Sequence, residues 1–255
     1  MILAIDVGNT HIVLGCLEDG QSHSLSRLTT DPVKTEYEYA VIIRDVLSFD
    51  NIDCRELEGA IISSVVPAVT NTLRGAVHLL CGKEPLVVGA GIKTGLNIRI
   101  DNPAQLGADL AVGAVAALAL CPPPLIVIDM GTATTITAID KDGAFRGGAI
   151  SPGVVLSMNA LAGGTAQLPD ISIEAPKHCI GTNTITCMQS GAIYGAAAML
   201  DGMIERMEAE LGSSTTVIAT GGLAACVIPH CRREIRYEPD LLLNGLKVIW
   251  EKNKK

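Results

Sequence analysis

The feature that most constrains this chain is a strand-turn-strand pattern that occurs twice. Ile5-Asp6-Val7-Gly8-Asn9-Thr10 returns as Ile128-Asp129-Met130-Gly131-Thr132-Ala133, with acid and glycine at the same spacing and an apolar strand before each. At that same offset Ile12-Val13-Leu14-Gly15-Cys16-Leu17 aligns with Thr135-Ile136-Thr137-Ala138-Ile139-Asp140, and Asp19-Gly20 with Asp142-Gly143. A lone Asp-x-Gly triplet is most often an ordinary turn. A duplicated hairpin of this kind instead predicts two similar lobes with a cleft between them.

The first copy carries a specific chemistry. Ile2-Leu3-Ala4-Ile5 is short, apolar and β-branched, as expected of a strand buried on both faces. Gly8 permits close approach of the backbone to a ligand, Asn9 and Thr10 can donate to phosphate oxygens, and Asp6 is suited to a Mg²⁺ that bridges them.

Further along, His23 to Thr29 reads as a third strand, and Thr35 as the N-cap of a helix to about Leu47. Ala60 to Ser64 reads as a buried strand stopped near Pro67, followed by a helix to about Leu80 and a short strand at Leu86-Val87-Val88. A second organising helix is predicted from Asn102-Pro103 to about Leu120. Strands at Leu125–Asp129, Thr134–Asp140 and Ala144–Ile150 repeat the opening trio, then a helix runs to about Ala162 and an irregular loop to Cys179. A long helix follows Thr184, with Gly191 and Gly195 on a small-residue face suited to packing within a lobe or between subunits. Val217 to Thr220 is a strand leading into Gly221-Gly222, a turn that suits either a nucleotide or close packing, and Asp240 to Trp250 is a last helix. The expected division is residues 1–119, packed by the helix at 240–252, and residues 120–255.

Asp109 is the one charge in the helix that holds it, flanked by Ala108, Leu110 and Ala111 with Gly113 a turn later. The helix dipole alone explains an acid near a helix start, but a carboxylate among apolar neighbours is also a candidate general base.

Charge and composition narrow the function. The net charge is −8 with acids and bases interspersed, which argues against nucleic acid as a partner. The N-terminal run lacks the basic start of a signal peptide, and the apolar stretch from Leu110 to Ile128 is broken by Pro122-Pro123-Pro124, so helix, turn and strand are expected there and no membrane span. Eight cysteines without a C-x-x-C pair read as reduced thiols in the core of a cytoplasmic protein, and the five histidines have no ligand spacing.

With these motifs in hand, the chain resembles the type III pantothenate kinases, members of the superfamily of acetate and sugar kinases, Hsp70 and actin. The likeness runs through Asp6-Val7-Gly8-Asn9-Thr10, Lys34-Thr35-Glu36, Ser63-Ser64-Val65-Val66-Pro67, Gly91-Ile92-Lys93-Thr94-Gly95-Leu96, Gly107-Ala108-Asp109, Asp129 to Thr135, Asn183-Thr184 and Ala219 to Leu223. The resemblance implies an α/β fold of two ribonuclease-H-like lobes, as in actin-like ATPases, and ATP-dependent phosphorylation of pantothenate. It assigns ATP to Asp6, Val7, Gly8, Asn9, Thr10, His11, Ile12 and Val13, with Thr132, Gly221 and Gly222. Asp6 would lie near Mg²⁺ and Asp129 would bind a monovalent cation, K⁺ or NH₄⁺. Asp109 matches the base that deprotonates the pantothenate hydroxyl, and Ile100, Gly107, Ala108, Leu110 and Thr184 would wall the substrate. A homodimer is implied, with a hetero-oligomer as the alternative.

The departures from the family pattern cluster on that wall. Leu110 stands where arginine is usual, Ile100 for tyrosine, Gly113 for asparagine, Gly164 and Gln167 for arginine and lysine, and His11 for a second asparagine. Each lost charge-assisted hydrogen bond costs roughly 1.5–3 kcal/mol. A second reading is therefore a non-catalytic or regulatory relative with a decayed pantothenate pocket, and a third is a kinase for another small hydroxylated acid.

Overall fold

Alternation of side chains along the first strand determines how the N-terminal part of the protein is layered. The computed structural model describes residues 1–18 and 21–254, so the expected Asp19-Gly20 turn lies outside the described residues. In chain order the elements begin with β1 (Ile2–Val7), β2 (His11–Glu18), β3 (Gln21–Thr29), α1 (Glu36–Phe49), β4 (Ala60–Ser64), α2 (Pro67–Cys81) and β5 (Leu86–Val87). Next come β6 (Asn97–Ile98), α3 (Ala108–Leu120), β7 (Leu125–Met130), β8 (Ala133–Ile139), β9 (Ala144–Pro152) and α4 (Val154–Gly163). The chain closes with α5 (Thr184–Leu211), β10 (Thr216–Thr220), α6 (Ala224–Val227), β11 (Arg236–Tyr237) and α7 (Leu241–Asn253).

These elements form two compact units. One contains residues 1–96, 101–119 and 240–255, and the other residues 97–100 and 120–239. In the first, the sheet order is β3-β2-β1-β4-β5; in the second, β9-β8-β7-β10-β11 repeats that order and β6 adds to the β9 edge. Carried forward by the sequence offset, β1 and β3 land residue for residue on β7 and β9. Each unit is thus a mixed α/β structure built on a sheet of the same strand order.

In the first unit β1 lies between antiparallel β2 and parallel β4. Leu3, Ile5 and Val7 pack with Tyr39, Ile43 and Leu47 of α1 and Leu73 and Val77 of α2. Ile2 and Ala4 point the other way, into a layer with Val112 and Val115 of α3 and Leu243, Leu246 and Ile249 of α7. A fully buried strand is the consequence, each large side chain of which contributes about 1.5–3 kcal/mol by leaving water. In the second unit Ile126, Ile128 and Met130 of β7 take the corresponding role against Ile193 and Leu200 of α5.

Local signals explain the helix ends. Thr35 accepts from Glu38 N while Glu38 accepts from Thr35 N, a reciprocal cap that starts α1. Asn183 does the same with Thr186 for α5, and Pro67 occupies the first turn of α2. One expectation fails. Asn102 caps only a single 3₁₀ turn at Pro103–Gln105, Leu106 is extended, and the α-helix starts anew at Ala108. The break puts Asp109 in the first turn of α3, where backbone N–H groups lack helical acceptors. The helix after Gly221-Gly222 is likewise reduced to the four residues of α6.

No described helix is long and apolar enough to cross a membrane. All eight cysteines are free: Cys16 is buried, but Cys179, Cys187 and Cys226 are exposed, so the expectation of core thiols fails for those three. Burial pushes the Cys16 thiol up to about 11 and the Cys231 thiol to about 12, leaving both protonated and inert.

The seam between α7 and α3 is set by Gly245, where an added Cβ would meet the Val112 carbonyl oxygen at 2.3 Å. Backbone cannot yield cheaply, so Gly245→Ala is expected to lower the free energy of unfolding by about 1–3 kcal/mol. Urea denaturation followed by circular dichroism checks this.

Candidate functional site

The two acid-glycine turns are built from the same parts. At the first, Gly8 N donates to His11 O (2.9 Å), Thr30 N donates to Thr10 O (3.0 Å) and the Thr30 hydroxyl donates to Gly8 O (2.7 Å). Asn9, Thr10 and His11 are consequently exposed at the tip of a braced hairpin, with Gly8 half-buried. Val7 and Ile12 are sealed in the core, so whatever they offer a ligand comes from their backbone. Val13 sits opposite Asp6 in the ladder and packs into the layer under α3.

Asp6 has the opposite parity to Ile5 and Val7, which directs it to the α3 side of the sheet, and it is 8% exposed. Its partner in the parallel ladder is Ser63. Ser63 is fully buried, and its hydroxyl has no hydrogen-bond partner among the described residues. Sequence reading took Ser63 only as part of a strand and of a family motif. The signal that would have found it, its pairing with Asp6, exists only once β1 and β4 are in register.

Asp109 lies in the first turn of α3, the helix whose Val112 and Val115 pack into that layer. It precedes Val112 by one helical turn, and Val112 packs on the face that carries Ile2, Ala4 and Ile61. Its Oδ1 accepts from Leu110 N at 2.8 Å. That oxygen lies 2.5 Å from where a Cβ on residue 107 would stand, which is why Gly107 precedes it. Burial pushes the Asp109 carboxyl above the usual aspartate range in spite of the backbone hydrogen bonds, the condition wanted of a general base. Gly107, Ala108, Asp109 and Leu110 thus form one cluster at the head of α3, and the buried Gly113 follows.

The second unit repeats the device with Asp129. It is half-buried at the end of β7, beside Gly131 and the exposed Thr132. Gly221, with φ of +95°, fits because a Cβ there would stand 2.6 Å from Asp129 Oδ1 and from the Met130 backbone. Gly222 follows it, and Leu223 N donates to Met130 O, tying the turn to β7. Gly153 fits as closely against the Gly131 and Thr132 carbonyls. Gly221 therefore serves close packing around Asp129 whether or not it also meets a nucleotide.

Ile100 and Thr184 are the other positions that the resemblance assigned to the substrate. Ile100 has its Cγ2 3.7 Å from the position of a Cβ on Gly147. Thr184 is exposed as the first residue of α5, next to its cap Asn183. No cluster of three or more His, Cys, Asp or Glu able to hold a metal occurs among the described residues. A cation here would be held by single carboxylates and other oxygen donors, which suits Mg²⁺ and K⁺ rather than zinc.

Comparison with known proteins agrees with the topology. A family model described as type III pantothenate kinase matches residues 2–206. A type III pantothenate kinase from Moorella thermoacetica is 42% identical over 253 residues, covering 99% of this chain and 100% of that protein. One from an Exiguobacterium species is 44% identical over 255 residues and covers both chains completely. Among solved structures, the ethanolamine utilization protein EutJ from Carboxydothermus hydrogenoformans is similar in fold, with a TM-score of 0.53 at 19% identity, over 97% of this chain and 88% of that one.

The raised Asp109 pKa has a consequence for stability. The native state holds this proton more tightly than the unfolded chain does, so the group's contribution to stability is present below the unfolded value of about 3.9 and is lost as pH rises through the folded value. Asp109→Asn removes that loss. The variant is expected to melt higher than the parent at pH 7, with the difference shrinking on acidification through the Asp109 pKa; calorimetric melting across pH 4–8 checks it.

Proposed function

This chain belongs to the type III pantothenate kinase family, and from that premise we propose how its residues divide the work of transferring the γ-phosphoryl group of ATP to pantothenate, the first step of coenzyme A biosynthesis. Asp109 is the general base. It takes the proton from the primary hydroxyl of pantothenate as that oxygen attacks phosphorus, and the phosphoryl group passes from the ATP β-phosphate to the new ester oxygen. The observation that carries this reading is a half-buried carboxylate in the first turn of a helix with no other charge, its pKa raised by desolvation.

The other roles follow from the two turns. Asp6 and the exposed tip at Asn9 and Thr10 face the phosphates, with backbone contributions from Val7, Gly8, His11, Ile12 and Val13. The buried carboxylate of Asp6 is a fitting oxygen donor for Mg²⁺. When bound, that ion neutralises phosphate charge, and positioning with charge neutralisation is most of what phosphoryl transfer requires. Asp129 holds the monovalent cation, K⁺ or NH₄⁺, with Thr132, Gly221 and Gly222 serving the nucleotide. Pantothenate meets Gly107, Ala108, Leu110, Ile100 and Thr184.

Retention of all three acids beside an apolar Leu110 and Ile100 favours an active kinase with a rebuilt acceptor pocket over a non-catalytic relative. A homodimer is supported by unit two, where Val155, Leu156, Leu161, Ile180 and Ile185 are exposed and Gly191 and Gly195 have nothing within 4 Å of an added Cβ. Sedimentation velocity at micromolar concentration is expected to give twice the chain mass of 26.6 kDa.

Purified protein with ATP, Mg²⁺, NH₄⁺ and pantothenate is expected to form phosphopantothenate, and Asp109→Asn to lower kcat by roughly 10²–10⁴-fold. Because the base must be ionised, kcat/KM is expected to fall on the acid side at a pH above the ordinary aspartate value of about 3.9. Leu110→Arg combined with Ile100→Tyr should lower KM for pantothenate roughly tenfold or more if those positions bind it. No product from the unaltered chain, by mass spectrometry, would overturn the kinase reading.

A further inference from the structure

The feature left unexplained by the assignments above is Ser63. A hydroxyl buried without a partner forfeits its hydration with nothing in return, and buried polar groups in native proteins are nearly always paired. Ser63 is 0% exposed, its oxygen has no hydrogen-bond partner among the described residues, and the surrounding layer is apolar: Ala4, Val13, Ile61 and Val115. An alanine at this position would satisfy the packing of such a layer without the cost.

Register fixes what the hydroxyl faces. In the parallel ladder Ala4 pairs with Ile61 and Asp6 with Ser63. Ala4 and Ile61 lie together in the α3 layer, whereas Ile5 and Ile62 lie together on the opposite side. Two residues further along the same strands, Asp6 and Ser63 are therefore neighbours on the α3 face. Adjacent strands stand about 4.8 Å apart, which puts the serine hydroxyl and the carboxylate side by side on one face of the sheet.

We infer that Ser63 is a positioning residue for Asp6. With metal-nucleotide bound, its hydroxyl would donate to the Asp6 carboxylate and so hold that side chain in the orientation the ion requires. This rests on the assignment of Asp6 to the metal-bound nucleotide. Partners that orient a metal-binding carboxylate commonly change metal affinity 10–100-fold when removed. The ligand-free protein then carries an unsatisfied hydroxyl, and the bound state supplies its partner.

The test separates this from a purely structural role. Ser63→Ala is expected to leave the melting temperature of the ligand-free protein unchanged or raised, while the Mg²⁺ concentration needed for half-maximal ATP binding, by titration calorimetry, rises roughly 10–100-fold. Ser63→Cys, which fills the site with a weaker donor, should show the same loss in smaller degree. In an Asp6→Asn background Ser63→Ala should change nothing further, since the effect acts through the carboxylate. A lower melting temperature with unaltered Mg²⁺ dependence would make Ser63 structural and overturn the inference, as would full additivity with Asp6→Asn or no Mg²⁺-dependent binding by the unaltered chain. Because the readout is nucleotide binding, failure to phosphorylate pantothenate would count against the proposed reaction and leave this result standing.

Discussion

The interaction on which the rest depends is the pairing of β1 between β2 and β4. A strand with hydrogen-bonded neighbours on both edges and apolar layers on both faces has no freedom to slip, because a shift of one residue would turn every core side chain outward. Leu3, Ile5 and Val7 lock one face against α1 and α2, and Ile2 and Ala4 lock the other against α3 and α7. The strand's last polar residue inherits that parity. Asp6 is thereby held beside Ser63 and across from Val13, and no loop flexibility enters its placement.

The same logic operates at the other two acids, with glycine as the permissive partner. Asp109 Oδ1 occupies the space a side chain on residue 107 would take, and Asp129 Oδ1 the space of one on residue 221. The two cases differ in rigidity. An alanine at 107 would push against the far end of a carboxylate, whereas one at 221 would meet the Met130 backbone in a left-handed conformation that already disfavours it. Asp109 is thus an acid whose setting could be retuned by small changes, while Asp129 is built into its turn.

Charge is used sparingly in this protein's apolar layers, and that economy is what gives Asp109 its chemistry. A carboxylate surrounded by water and cations would keep its ordinary acidity and make a weaker base. Here desolvation in the first turn of the apolar α3 outweighs the backbone hydrogen bonds to the carboxylate, and the raised pKa follows from it. Leu110 in place of an arginine is consistent with this balance: a guanidinium next to the carboxylate would have pulled its pKa down again.

The repeated hairpin was legible in the sequence because strands buried on both faces are short apolar runs and because acid-glycine turns tolerate few substitutes. The offset seen in the residues reappears as identical boundaries for β1 and β7 and for β3 and β9. The cap of α1 was legible for the same local reason, at Thr35. The break before Ala108 was not, since Asn102 and Pro103 satisfy the rules for a helix start, yet Leu106 is extended and the α-helix begins only at Ala108. Ser63 was invisible as a site, because a serine in a strand carries no sign of its neighbour. What the sequence by itself determined is the set of acids and the elements they terminate, since periodicity and turn chemistry act over a few residues. What only the tertiary structure decided is which side chains share a face, because that depends on register between strands more than fifty residues apart.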